Sequence, residues 1–105
     1  MSRTYAVTWE EQGVPIRAGK LELLSGGLSL EGSNGGGPGA LVVPYEELVG
    51  LWLATRGQRL GGRPTLVVDR GERGILRLAS IASPGAVSEI ADELSALRRA
   101  SAGRR

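Results

Sequence analysis

The chain has no cysteine, no histidine and no phenylalanine, and its 105 residues include only two tryptophans, two tyrosines and one methionine. Without cysteine there is no disulfide framework and no thiolate to act as nucleophile or metal ligand. Without histidine the usual general base and the commonest metal ligand are both missing. No cofactor or metal is therefore expected. No stretch approaches the roughly 20 apolar residues that span a bilayer. The opening Met1-Ser2-Arg3-Thr4-Tyr5-Ala6-Val7-Thr8-Trp9-Glu10 meets charge too early to supply the apolar segment of a secretory signal. A cytoplasmic location is the resulting expectation.

What is present suits one globular domain. Apolar residues make up 41% and charged residues 23%, which is ordinary for such a chain. A chain of this length buries roughly 60–70% of its unfolded surface on folding. The net charge of +2 conceals a tilt. Up to residue 55, Arg3, Arg17 and Lys20 stand against six glutamates; from residue 56 onward, ten arginines stand against five acids. Such a field attracts anionic partners. No basic stripe is interleaved with stacking aromatics, so nucleic acid is not an expected partner. The dominance of arginine over Lys20 and the abundance of glycine read as the codon bias of a GC-rich genome.

Up to about residue 80 the pattern has period two, which puts alternate side chains on one face of a strand. Tyr5, Val7 and Trp9 share one face; Thr4, Ala6, Thr8 and Glu10 share the other. Lys20 to Leu23 alternates again, Gly26-Gly27 marks a hairpin, and Leu28 to Glu31 returns. Ala40 to Val43 is a short strand stopped by Pro44, Tyr45-Glu46-Glu47 forms a corner, and Leu48 to Ala54 is another strand. Thr65 to Asp69 and Gly74 to Ala79 form a hairpin around Arg70 to Arg73. About seven strands joined without helices imply an antiparallel sandwich or partly open barrel. The period then changes. Ser83 and Pro84 suit a helix start, and Val87, Ile90, Ala91, Leu94 and Leu97 form one apolar stripe. The expected layout is strands over about 3–80, a helix over about 84–100 and a frayed tail over 101–105.

Glu31-Gly32-Ser33-Asn34-Gly35-Gly36-Gly37-Pro38-Gly39 invites a phosphate-loop reading. A P-loop requires Gly-Lys-Ser/Thr at its end, and here Ala40-Leu41 follows Gly39. The spacing Gly35-x-Gly37-x-x-Ala40 matches a dinucleotide pattern only formally, because a strand follows where a helix is needed. The stretch reads as a flexible hairpin connection that makes few demands on sequence.

Catalytic constellations are equally hard to assemble. Glu10 and Glu11 are neighbours in a strand and point to opposite faces. Glu46-Glu47 sits in a turn, where acids are usually solvated. Lys20 reads as an ion-pair partner of Glu22. The chain is expected not to be an enzyme. Arg56, Arg59 and Arg63 lie between two strands without a nearby acid, and they are the candidate anion- or partner-binding residues, since arginine pairs with phosphate and carboxylate. The bland reading of the same three is a solvated loop tip. Trp9 and Trp52 share strand faces with apolar residues and read as core; exposure of either would point to an interface.

The order of seven strands and one C-terminal amphipathic helix resembles the pleckstrin-homology-like (PH-like) superfold over most of the chain. Val43-Pro44-Tyr45-Glu46-Glu47-Leu48-Val49-Gly50-Leu51 is similar to the apolar-Pro-Tyr-acid-acid-apolar corner of small bacterial PH-like and GRAM-type domains. The resemblance implies two nearly orthogonal sheets with the helix plugging one end. It also implies a binding or assembly module rather than an enzyme. Lipid-binding members carry a Trp in the final helix and basic residues around the first hairpin. This helix has no Trp, and the hairpin mixes Arg17 and Lys20 with Glu10, Glu11 and Glu22. The leading expectation is a non-catalytic module for protein–protein contact or self-association. The alternative is an anionic membrane surface or another phosphorylated ligand, held by the arginine-rich loops. A third is a small apolar ligand within the barrel.

Overall fold

A computed structural model describes residues 3–83 and 85–102. Its strands are β1 (Arg3–Glu11), β2 (Arg17–Leu23), β3 (Gly27–Asn34), β4 (Gly37–Pro44), β5 (Gly50–Leu53), β6 (Thr65–Asp69) and β7 (Ile75–Ser80), and they are followed by helix α1 (Ala86–Ala102). All seven pair antiparallel in one sheet of order β4-β3-β2-β1-β7-β6-β5. The sheet does not close into a barrel, so β4 and β5 are left as edges. The mostly β architecture with one terminal helix is the one the sequence pattern implies. Instead of two separate sheets there is one continuous sheet, and β1 is its pivot. Arg3 to Trp9 pair with β2 while Val7 to Glu11 pair with β7, so Val7 to Trp9 are held on both sides.

The register explains how one sheet encloses one core. Paired residues share a face, and Tyr5↔Leu21, Leu21↔Leu30, Leu30↔Leu41, Trp9↔Leu78, Leu78↔Leu66 and Leu76↔Val68 all lie on the inner face. Trp9, Leu21, Leu30, Leu66, Leu76 and Leu78 are buried in a single cluster. Val87, Ile90 and Leu94 of the helix belong to the same cluster, with Ala91 and Leu97 packed against it. The helix contacts the Tyr45–Glu47 corner and β5, β6 and β7. Its apolar stripe thus seals the sheet interior, which neither element could bury alone. The helix runs over 86–102 rather than 84–100, so the expected fraying at 101 does not occur there. The expected Pro84 start and the tail residues 103–105 lie outside the described residues.

At the corner the Tyr45 ring is buried, and its hydroxyl donates to the Leu24 carbonyl. Burial, with a smaller push from Glu93, raises the Tyr45 pKa from 10.0 to about 12. Glu47 is held by Arg73 at 2.7 Å rather than freely solvated. Lys20 pairs across the ladder with Glu31 at 3.8 Å rather than with Glu22. This follows from pairing, since Lys20 stands directly opposite Glu31, and cross-strand partners are closer than same-strand ones.

The glycine-rich stretch is mostly strand. β3 runs through Asn34 and β4 begins at Gly37, leaving Gly35-Gly36 as the turn. The Gly36 N–H is held by Asn34 Oδ1 at 2.7 Å, and Gly37 closes the turn with φ +108°. The expectation that these glycines lower the demand on sequence fails at Gly32 and Gly39. A Cβ on Gly32 would stand 2.8 Å from the Ala18 carbonyl and 2.9 Å from the Trp9 indole nitrogen, and one on Gly39 would meet the Arg17 side chain. The missing side chains make room for a tryptophan and an arginine laid across the strands.

Gly32→Ala is expected to cost about 1–3 kcal/mol by overpacking, while Gly35→Ala, with open space around it, stays within about 0.5 kcal/mol of wild type. Urea denaturation of the two variants checks the contrast. Tyr45 gives a pH prediction. Below pH 10.0 its hydroxyl is neutral whether the chain is folded or not. Between there and about 12 the unfolded chain ionises first, so stability falls as pH rises through that window. Tyr45→Phe is less stable at neutral pH but shows a shallower decline in Tm across that window.

Candidate functional site

The two tryptophans have opposite fates. Trp9 is wholly buried; its indole N–H donates to the Glu31 carbonyl at 3.1 Å, and the Arg17 guanidinium lies over its ring, 5.2 Å from the centroid. Glu11, also on the inner face, reaches Arg17 at 4.0 Å and Arg70 at 3.5 Å. Arg70 is only 6% exposed and ties the β6–β7 turn together by donating to the Gly74 and Arg73 carbonyls. Arg17 Nε is buried without a hydrogen-bond acceptor, and the Trp9 ring face offsets that loss through cation–π attraction. Arg17 and Lys20, the basic residues of the first hairpin, are both engaged within the fold. Glu10 goes to the outer face, as strand parity requires, where Arg77 holds it through two nitrogens.

Trp52 is 39% exposed, contrary to its expected core position. It pairs with Val67 on the outer face, its ring lies against Gly50, and its indole N–H donates to Gln58 Oε1 at 3.3 Å. Around it the β5 edge exposes Val49 and Leu53. Leu53 pairs with Leu66 of the inner face, so by strand parity it emerges at this edge on the side opposite Trp52.

Next to Trp52 the β5–β6 connection folds back over the outer face. It makes 3-10 turns at Arg56–Gln58 and Leu60–Gly62. The Arg77 guanidinium donates to the Gln58 carbonyl at 2.9 Å, and the Leu60 N–H donates to the Thr65 hydroxyl at 2.9 Å. Leu60 and Val67 are buried beneath the loop although Val67 lies on the outer face. The loop is thus a small second layer anchored by Leu60, Thr65 and Arg77. Within it Arg56, Arg59 and Arg63 are exposed, and none makes a side-chain hydrogen bond or ion pair among the described residues. Most other arginines are committed: Arg3 to Glu89, Arg17 to Glu11, Arg73 to Glu47, Arg77 to Glu10 and Arg98 to the Val49 carbonyl. Arg63 borders two grooves, one of about 250 Å³ with Thr8, Ile16, Leu60 and Gly61, and one of about 130 Å³ with Pro64, Ser80, Ile81 and Ser83. The structure therefore brings the three sequence-selected arginines to one loop beside an exposed tryptophan. Sequence reasoning missed the anchors Gln58, Arg77 and Leu60. The signal for Leu60 was an isolated apolar residue in an otherwise polar loop.

No protein-family model matches the chain, and no curated protein matches it. Among solved structures it is similar to the C-terminal domain of an unknown protein from Leishmania infantum, with a TM-score of 0.65 and 12% identity over 88% of this chain and 81% of that one. At that identity the likeness is one of fold. No helix among the described residues is long and apolar enough to cross a membrane.

Acrylamide quenching checks the placement of the tryptophans. Trp52→Phe is expected to remove the quenchable emission, leaving a blue-shifted, shielded signal from Trp9.

Proposed function

We propose that the chain is a PH-like, non-catalytic binding module for protein–protein contact, and that it holds an acidic, partly apolar segment of a partner protein on the Trp52 surface. The observation that carries this reading is the exposed Trp52 beside Arg56, Arg59 and Arg63, three cations without a side-chain partner among the described residues. Tryptophan and arginine are the side chains most enriched at interface hot spots, and guanidinium matches carboxylate geometry. The PH-like assignment is supported by the strand order, the Tyr45 corner and the helix stripe that seals the core. The acids argue in the same direction. Glu10, Glu11, Glu31, Glu47 and Glu89 are all ion-paired, which leaves them poorly placed for proton transfer.

A second reading, an anionic lipid or other phosphorylated ligand, draws on Arg63 between grooves that present Ser80, Ser83 and Thr8. The two are separated by titrating a peptide of alternating Glu and Leu against Trp52 fluorescence, and by co-sedimenting the protein with anionic vesicles, each at low and physiological salt. The protein reading expects saturable peptide binding that the triple variant Arg56→Ala/Arg59→Ala/Arg63→Ala weakens, with a reduced salt slope. Trp52→Ala is expected to weaken it by about tenfold or more. Unchanged affinity and salt slope in the triple variant removes the proposal, and salt-sensitive pelleting without peptide binding transfers it to lipid.

A further inference from the structure

The two edges of the sheet are finished differently. β5 has only four residues, and Arg98 of the helix donates to the Val49 carbonyl at its start. β4 has eight residues, Gly-Pro-Gly-Ala-Leu-Val-Val-Pro, with no charge among them. Val42 on its outer face is 64% exposed. Long uncharged edges are what folded proteins usually avoid, because their free backbone groups template pairing with another strand.

The direction of those groups follows from parity. The Tyr45 N–H donates to the Gly26 carbonyl at 3.2 Å, one step beyond the Pro44↔Gly27 pair. Backbone groups alternate in direction along an antiparallel strand, so the odd-numbered residues of β4 bond to β3. The even-numbered residues Pro38, Ala40, Val42 and Pro44 turn theirs to the free edge. The prolines agree, since a residue without an N–H fits a ladder only where that group would point away. Ala40 and Val42 are left between them, each offering one donor and one acceptor outward.

We infer that this edge pairs with the same edge of a second copy of the chain, β4 antiparallel to β4 about a two-fold axis at Leu41. In that register Ala40 stands opposite Val42 of the second copy, and all the outward N–H and C=O groups of both residues are bonded. Pro38 meets Pro44 at each end, where neither has a donor to leave unmet. A shift of two residues either way sets a proline against Ala40 or Val42, so one of their carbonyls goes to solvent while a proline carbonyl takes the donor, whereas the centred register leaves only the Pro38 and Pro44 carbonyls to solvent. Leu41, packed against the core from the rim of the inner face, meets its counterpart on the axis. The choice of a second copy rests on two features. The prolines are spaced symmetrically about Leu41, and in an isologous interface residue i faces residue j and j faces i, so a lone charge close to the axis would lie near its own copy, whereas this strand has none. The contact is small, so the dimer belongs to the weak, concentration-dependent class. It lies at the opposite edge from Trp52 and stands independently of that surface.

Sedimentation velocity of the intact chain over a wide concentration range tests this. Wild type is expected to pass from monomer to dimer. Val42→Pro removes one outward N–H and no bond to β3, and Val42→Lys sets a charge on the edge. Either is expected to weaken dimerisation by about tenfold or more while circular dichroism and binding of the Glu-Leu peptide are retained. Should Val42→Pro disturb the strand, Val42→Lys decides. A monomer at every concentration, or a dimer unaffected by Val42→Lys, overturns the inference.

Discussion

The indole of Trp9 pressed against the bare backbone of Gly32 is the contact on which the rest of the fold depends. With no phenylalanine in the chain, Trp9 is the largest wholly buried side chain. It stands at the pivot of β1, where Val7 to Trp9 pair with β2 on one side and β7 on the other. The sheet curls over it because β3 can approach closely at a residue without a Cβ. Arg17 then lies over the ring, Gly39 gives its side chain room, and Glu11 joins Arg17 to Arg70. Burying several charges this way is usually no gain over an apolar core, but removing one partner is costly. The cluster therefore sets the curl of β2, β3 and β4 around one point more than it adds net stability.

Once the curl is set, the inner face and the helix stripe take up the apolar residues, and the outer face is left to specialise. On the β1–β4 half it carries short or charged residues, such as Lys20 against Glu31. On the β5–β7 half the folded-back loop covers Val67 and leaves Trp52 at the margin. Arginine does three different jobs here. Arg17 and Arg70 are structural and inward, Arg77 and Arg98 fasten a loop and an edge, and Arg56, Arg59 and Arg63 hold no side-chain partner among the described residues. A folded chain does not need the last group, so their position beside an exposed tryptophan weighs toward binding.

How much of this the sequence discloses depends on whether a pattern is local. The period-two runs and the helix stripe are local, and the seven strands and α1 follow from them with boundaries off by a few residues. The fate of Trp52 is not local. Leu48 to Ala54 is apolar at both parities, so the strand alone cannot say which face turns inward. The pairing of Leu51 with Val68 decides it and sends Trp52 outward. Gly32 and Gly39 are a second case. Composition marks them as turn residues, yet they are strand residues whose emptiness is filled by Trp9 and Arg17, more than twenty positions away. Arg56, Arg59 and Arg63 were legible as a group because no acid lies near them in sequence. That they also have no partner across space among the described residues is a property of the folded loop.

The placement of the two surfaces has a consequence for how such a module works. β4 and β5 are the outermost strands of the sheet, so the proposed pairing through β4 would leave both Trp52 surfaces of a dimer free. Each copy contributes its own loop, because Arg77 and Thr65 anchor the β5–β6 connection within the chain. On the proposed binding role, a partner carrying two acidic segments would then meet two equivalent sites, and the second engagement would be governed by effective concentration rather than by added contacts. In that proposal, a weak edge contact and a modest arginine surface would combine into firm capture only where the chain is concentrated or the partner is repetitive. Either surface alone would then give a fast, reversible encounter, in keeping with an edge left uncharged and a site built from solvent-exposed side chains.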